Sequence, residues 1–232
     1  MITAPIQVQM TDVMGTDMSV VNAARVSFDK RSEWDFGFAL DADGCKDYSE
    51  PTRKLNDADC KLIRYLAEHN HWSPFSHAFA SFRIKAPIFV ARQLVKHTVG
   101  LAWNEVSRRY VSSEPEFYLP DYWRKSASNV KQGSSAEVAG HFNIVAEKAI
   151  DRCLKTYQLM LDEGVCAEQA RMILPQNTMT EWVWSGSLYA FTRVCNLRLD
   201  SHTQVETREV AQGIHKAMQS KFPESWKVLV EA

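Results

Sequence analysis

The residues best suited to chemistry cluster between Arg92 and Tyr110, in the stretch RQLVKHTVGLAWNEVSRRY. Arg92, Lys96, His97, Arg108 and Arg109 supply positive charge, with Arg83 and Lys85 just upstream. Gln93, Asn104, Glu105, Ser107 and Tyr110 supply hydrogen-bonding groups. Leu94, Val95, Val99, Leu101, Ala102, Trp103 and Val106 interleave with them, which a plain solvated face would not require. The mixture describes a polar pocket wall for an anion that also carries hydrogen-bonding edges. On a helix Gln93 and Lys96 share a face, as do Arg92 and Lys96, a like-charge spacing that an intervening anion relieves.

Other chemistries find less support. The chain has no glycine-rich phosphate loop and no GxSxG elbow. Ser107 lies near His97, Glu105 and Arg108, but no base is fixed beside it at a recognisable spacing. A hydroxyl that binds a phosphate is therefore favoured over a nucleophile. His69, His71 and His77 fall in HNHWSPFSHA without an acidic or Cys partner at ligand spacing, and Pro74 interrupts any helix that would align them, so no metal is expected. DADG at 41–44 lacks the spacing and the later Glu of a calcium loop and is read as a turn. The 5 cysteines are odd in number and show no CxxC, which predicts reduced thiols and a cytoplasmic protein. Cys153 and Cys195 are expected to pack rather than react. Arg109, Arg171 and Arg198 lie in apolar runs or at helix ends, where a guanidinium wants a fixed anion or carboxylate.

The elements that must position these groups follow from periodicity. At 232 residues, 45% apolar and net charge −1, the chain is expected to form one α+β domain over 1–232, with a mixed or antiparallel sheet and a helical bundle. That charge argues against a general nucleic-acid or membrane-surface binder. No secretory signal is read at the N-terminus, and no apolar run is long enough to span a membrane. Strands are predicted at 6–10, 77–85, 107–111 and 178–184. Helices are predicted at 17–26, 57–68, 88–97, from the Ser134/Glu137 capping box to 163, at 166–174, 187–197, from the Thr203/Glu206 capping box to 221, and at 223–232. Residues 30–56 read as an irregular loop or insertion, and 112–133 as a loop.

The blocks HWSPFSHAFASFRIKAPIFVARQLVKHTVGLAWNEVSRRY and AEQARMILPQNTMTEWVWSGSLYAFTRVCNLRLDSHTQVETREVA, in this order, resemble the signature regions of the flavin-dependent thymidylate synthases. The match covers roughly 68–222. Lys96-His97-Thr98 stands where the family has Arg-His-Arg, one extra residue precedes Asn104-Glu105, and Ser76 replaces a Glu. The KHT and WNEVSRRY variant resembles a branch carried by bacteriophages. The resemblance implies the family's fold and reductive methylation of dUMP to dTMP, with FAD as cofactor, methylenetetrahydrofolate as carbon donor and NADPH as reductant, in a homotetramer with shared active sites. It implies dUMP contacts at Gln93, Lys96, Glu105, Ser107, Arg108, Arg109, Arg171 and Arg198, with Arg198 polarising the uracil ring as the catalytic residue. It implies FAD contacts at Ser73, Lys96, His97, Thr98, Glu105, Ser187, Tyr189 and Arg193, and places His71 near the flavin ring where folate stacks. A related flavin-dependent pyrimidine nucleotide methylase or hydroxymethylase, and a non-catalytic nucleotide- or RNA-binding relative, remain the alternatives.

Overall fold

The computed structural model describes residues 1–40, 46–111, 113–128 and 133–230. The DADG turn at 41–44 lies outside the described residues.

After a short β1 (Ile2–Thr3), β2 (Gln7–Met14) leads into α1 (Asp17–Arg25). The next pair, β3 (Asp35–Leu40) and β4 (Lys46–Lys54), forms an antiparallel hairpin where the sequence predicts an irregular loop. Helix α2 (Asp57–Glu68) starts where Asn56 accepts a hydrogen bond from the Asp59 backbone N–H, an N-cap that satisfies one of the helix's orphan donors. Its apolar positions bury Ile63 and Leu66.

Four strands form the central antiparallel sheet, in the order β2, β5 (Phe79–Pro87), β10 (Met179–Ser187), β6 (Leu101–Glu105). The period-2 pattern of 77–85 is realised: Ala80, Phe82, Ile84 and Ala86 are buried while Phe79 and Arg83 are exposed. On β10, Trp182 and Trp184 take the buried positions. Phe191 packs edge-on against both Phe82 and Trp184. Away from that core, Ser81 and Ser185 share a 2.8 Å hydroxyl–hydroxyl hydrogen bond across the ladder, and Arg83 pairs with Glu181.

Each central strand feeds a helix: β5 runs into α3 (Ile88–Leu94) and β10 into α6 (Leu188–Arg198). Pro87 is the N-cap of α3, and Ser187 caps α6 by accepting from the Ala190 N–H at 3.2 Å. Helix α3 stops at Leu94, short of the predicted His97, because the chain turns through 95–100 to Gly100 at φ +74°. Strand β6 then occupies 101–105, so the strand expected at 107–111 is displaced toward the N-terminus; Arg108–Tyr110 form a turn.

The segment 112–133 carries β7 (Glu116–Phe117), parallel to β1, and β8 (Trp123–Ser126) rather than loop alone. Strand β8 pairs with β9 (Ser134–Gly140), so Ser134 and Glu137 lie in a hairpin and not in a helix cap. Helix α4 (Asn143–Asp162) begins only after it and buries Ile150 and Tyr157. Other apolar positions are less covered: Cys153, expected to pack, is half-buried, and Phe142 and Val145 are exposed. A short α5 (Ala167–Ala170) and a turn of 3-10 helix at Arg171–Ile173 replace the single helix expected to 174.

Helix α7 (Val205–Lys221) packs across β2 and β5, and α8 (Pro223–Leu229) closes against α1, α2 and α6. The expected Thr203/Glu206 capping box is absent. Thr203 Oγ1 donates to the Leu197 carbonyl, and Glu206 accepts from Arg124 of β8 at 2.7 Å. At Gly213 a Cβ would come within 2.7 Å of Val8 Cβ, so only glycine lets α7 lie this close to β2. The result is the α+β domain expected from the sequence.

Candidate active site

Strands β5 and β10 are antiparallel, with Met179 opposite Pro87 and Ser187 opposite Phe79. Helices α3 and α6 therefore leave from opposite ends of that ladder. Just beyond α3 lies His97, and Arg198 is the last residue of α6. Arg198 Nε donates to His97 Nε2 at 3.0 Å, joining residues 101 apart in sequence. Accepting that proton requires an unprotonated Nε2 on the imidazole. Burial pushes the His97 pKa below its usual range, and the neighbouring charges of Arg198 and Arg193 push it further down. Burial also lowers the Arg198 pKa from its high ordinary value. Among the described residues no carboxylate pairs with Arg198.

Arg198 lines a cleft of about 850 Å³ together with Gln93, Gln204, Arg124, Asp200 and His202. Gln93 Nε2 donates to Gln204 Oε1 at 2.5 Å, which fixes the amide of α3 to the start of α7. Sequence reasoning missed Gln204 and Arg124. The first stands inside the HTQVETREVA block and was within reach of the motif; the second lies in a segment without apolar periodicity.

Six of the remaining expected residues line two further clefts, Glu105, Arg108 and Arg171 in one and Ser187, Tyr189 and Arg193 in the other, and these clefts share no lining residue with the first. One, of about 310 Å³, brings together Glu105, Arg108 and Arg171 with Lys85 and Thr180. Glu105 accepts from Thr180 Oγ1 at 2.8 Å, and Arg108 donates to the Ser113 carbonyl at 2.8 Å. Beside it, Arg109 Nε donates to Ser107 Oγ at 3.2 Å. The predicted burial of Arg109 and Arg171 does not hold: both are exposed, because Arg108–Tyr110 and 171–173 are surface turns and not covered strand or helix. Only Arg198 of the three is half-buried.

The other cleft, of about 340 Å³, is lined by Trp72, Ser76, Val99, Gly100, Ser187, Tyr189, Ala190 and Arg193. Trp72 and Tyr189 stand with ring centroids 6.2 Å apart. At Gly100 a Cβ would meet Ala190 Cβ at 3.1 Å, so the cleft floor depends on a residue without a side chain. Ser187 spends its hydroxyl on capping α6, which limits what it can offer a ligand. Lys96 and Thr98 are exposed on the turn after α3, and Ser73 and His71 are exposed on the segment before β5. The His71 ring lies edge-on to Tyr65 at 5.9 Å. Cys195 is fully buried, its Sγ donating to the Ala211 carbonyl at 3.7 Å, and burial drives its thiol pKa far up; it packs, as expected, and holds no thiolate.

The family described as "Thymidylate synthase complementing protein" matches residues 9–224. The flavin-dependent thymidylate synthase of Thermosipho africanus is 33% identical over 227 residues, covering 96% of this chain and 90% of the relative. That of Kosmotoga olearia is 35% identical over 227 residues, covering 96% and 89%. Among solved structures, the UMP/dUMP methylase PolB from Streptomyces cacaoi bound with 5-Br dUMP superposes with a TM-score of 0.78 at 28% identity, covering 100% of this chain and 99% of that one. Matched by that family over residues 9–224 and 33% identical over 96% of its own length to the Thermosipho africanus relative, the chain belongs to the flavin-dependent thymidylate synthase family.

Proposed function

We propose that the protein methylates dUMP reductively to dTMP, with FAD as its cofactor, methylenetetrahydrofolate as carbon donor and NADPH as reductant. The observation that carries this reading is the half-buried Arg198 guanidinium, which lines a cleft without a carboxylate partner among the described residues and is anchored at Nε by His97. A pyrimidine ring reacts through C5 when negative charge on the ring is stabilised. A guanidinium that stays protonated supplies this electrostatically, without taking a proton. Gln93 and Gln204 offer amide groups in the same cleft for the ring's polar edge. Ser107, Arg109 and Arg171 supply the donors for a phosphate, with Arg108 and Lys96 adding charge.

The cleft at Trp72, Tyr189 and Arg193 fits a flavin nucleotide. Its aromatic walls suit a planar ring, its guanidinium a diphosphate, and the bare Gly100 floor a close approach. When bound, the flavin supplies the hydride chemistry, and the protein's part is orientation, charge and exclusion of water. Lys96, His97, Thr98, Ser73, Ser187 and Glu105 complete the residues assigned to that cofactor, with His71 assigned beside the ring. The three clefts share no residue on one chain, which supports active sites assembled from several subunits of a homotetramer.

Product analysis tests the reading: protein with FAD, dUMP, methylenetetrahydrofolate and NADPH yields dTMP, and a hydroxymethylated product or none overturns it. The methylase neighbour named for both UMP and dUMP favours a second reading, a broader pyrimidine nucleotide methylase. Methylation of UMP at a comparable kcat/KM would establish it.

A further inference from the structure

Arg198 has two edges with which to grip a planar ligand: the side edge formed by Nε with one Nη, and the end edge formed by both Nη groups. His97 occupies Nε, at 3.0 Å. The side edge is thereby spent inside the protein, and the end edge is left to the cleft that Arg198 lines with Gln93 and Gln204. The anchor itself is held by two contacts. The His97 backbone N–H donates to the Leu94 carbonyl at the end of α3 at 3.0 Å, and its ring lies 6.4 Å from that of Trp184. Trp184 is fully buried in β10, the strand that leads into the helix bearing Arg198.

We propose that His97 is a positioning residue for Arg198, fixing the guanidinium so that only its end edge meets the pyrimidine. This rests on the assignment of Arg198 to the pyrimidine site. The contact works in one protonation state alone. A protonated imidazole has no acceptor at Nε2 and sets a cation against the guanidinium. The charged groups that act on the ring are Arg198 and Arg193, both on α6, and Lys96 is its neighbour in the chain; none is a carboxylate that would stabilise an imidazolium. His97 consequently stays an acceptor through neutral pH, and the anchor is lost as pH falls through its lowered titration range.

The test is calorimetric binding of dUMP to the full-length, flavin-loaded protein from about pH 5 to 8, where histidine titrates. Wild-type affinity is expected to fall progressively toward the acid end, by ~2-fold or more beyond the titration of the phosphate itself. His97→Phe keeps the ring's bulk and removes the acceptor; it should bind dUMP on the order of 10- to 100-fold more weakly at every pH, the cost of a misplaced contact group. His97→Gln restores an acceptor that does not titrate; it should bind within ~3-fold of wild type at neutral pH, about the size of a half-kilocalorie change, and lack the extra acid loss. The phosphate titrates alike in all three proteins, so the difference between wild type and His97→Gln isolates the imidazole. Wild-type affinity in His97→Phe, or an unchanged acid loss in His97→Gln, overturns the proposal. Flavin loss in His97→Phe with dUMP affinity intact also overturns it, since the imidazole would then serve the flavin alone. Arg198→Ala separates the underlying assignment: if it binds dUMP like wild type, Arg198 itself is outside the pyrimidine site.

Discussion

Arg198 lines one cleft while Ser107 lies beside another, and the two should fail differently. Arg198→Ala removes the group assigned to charge that develops on the ring. Its dTMP formation should drop by about 100-fold or more, the scale of losing one preorganised electrostatic donor. Its thermal midpoint should stay close to wild type, because the side chain is only half-buried; normal turnover would remove Arg198 from the site. Ser107→Ala deletes an acceptor for the Arg109 side chain but no reacting group. It should keep measurable turnover with the KM for dUMP raised about 10-fold, the equivalent of one modest hydrogen bond. Complete loss of activity with dUMP binding preserved would instead revive a nucleophilic serine. At this scale the sequence carries Gln93, His97 and Arg198 through motif alone. It cannot say that His97 and Arg198 touch, since that depends on two strand–helix units running in opposite directions. It also overstates the burial of Arg109 and Arg171: an apolar neighbourhood in sequence does not show whether a turn will lie on the surface.

The elements around the cleft are tied by one buried ion pair and one bare backbone contact. Arg124 of β8 and Glu206 of α7 meet at 2.7 Å with Glu206 almost fully buried and its second oxygen unpaired. Arg124→Ala leaves that carboxylate without a partner and should cost about 3–5 kcal/mol in denaturant unfolding, while Glu206→Gln, which keeps a hydrogen-bonding side chain, should cost less. Nearby, Glu209 is raised above the usual carboxylate range, first by burial and then by Glu206 and Asp121. The folded state therefore holds this proton more tightly than the unfolded chain. The stability it contributes is present at low pH and is lost as pH rises through the raised value. Gly213→Ala would drive a methyl group into Val8 and should destabilise by about 1–3 kcal/mol, read as a lower denaturant midpoint at unchanged slope. Strong apolar periodicity makes α2, β5, α6 and β10 legible in the sequence. The β3–β4 and β8–β9 hairpins are harder to read: β4, β8 and β9 are mostly polar or small, and the alternating Phe36, Phe38 and Leu40 of β3 have no apolar partner strand in the sequence. A Ser-x-x-Glu pattern such as Ser134–Glu137 describes a helix start only when no partner strand claims it, and here Trp123–Ser126 does.

For the whole molecule, α4 leaves large apolar side chains open. Ile144 is 67% exposed, Val145 65% and Leu159 59%. Apolar side chains this open on one long helix, in a chain whose clefts are divided, support assembly into the proposed tetramer. Light scattering should find four chains in the wild type and smaller species in Ile144→Glu/Val145→Glu, with turnover falling in step. An unchanged mass for that variant would place the interface elsewhere. The sequence predicts this helix but not what covers its apolar side chains, since periodicity marks an apolar face without naming its partner. The other end of the molecule is closed by α8, whose backbone N–H groups at Glu224 and Ser225 donate to the buried Asp17 carboxylate at 3.0 and 2.9 Å, across 207 and 208 residues. A chain emerging from the ribosome therefore presents Asp17 long before its partner exists. Until Glu224 and Ser225 clear the exit tunnel, α1 must wait with a carboxylate that nothing has yet capped, so this contact closes late in the emergence of the domain.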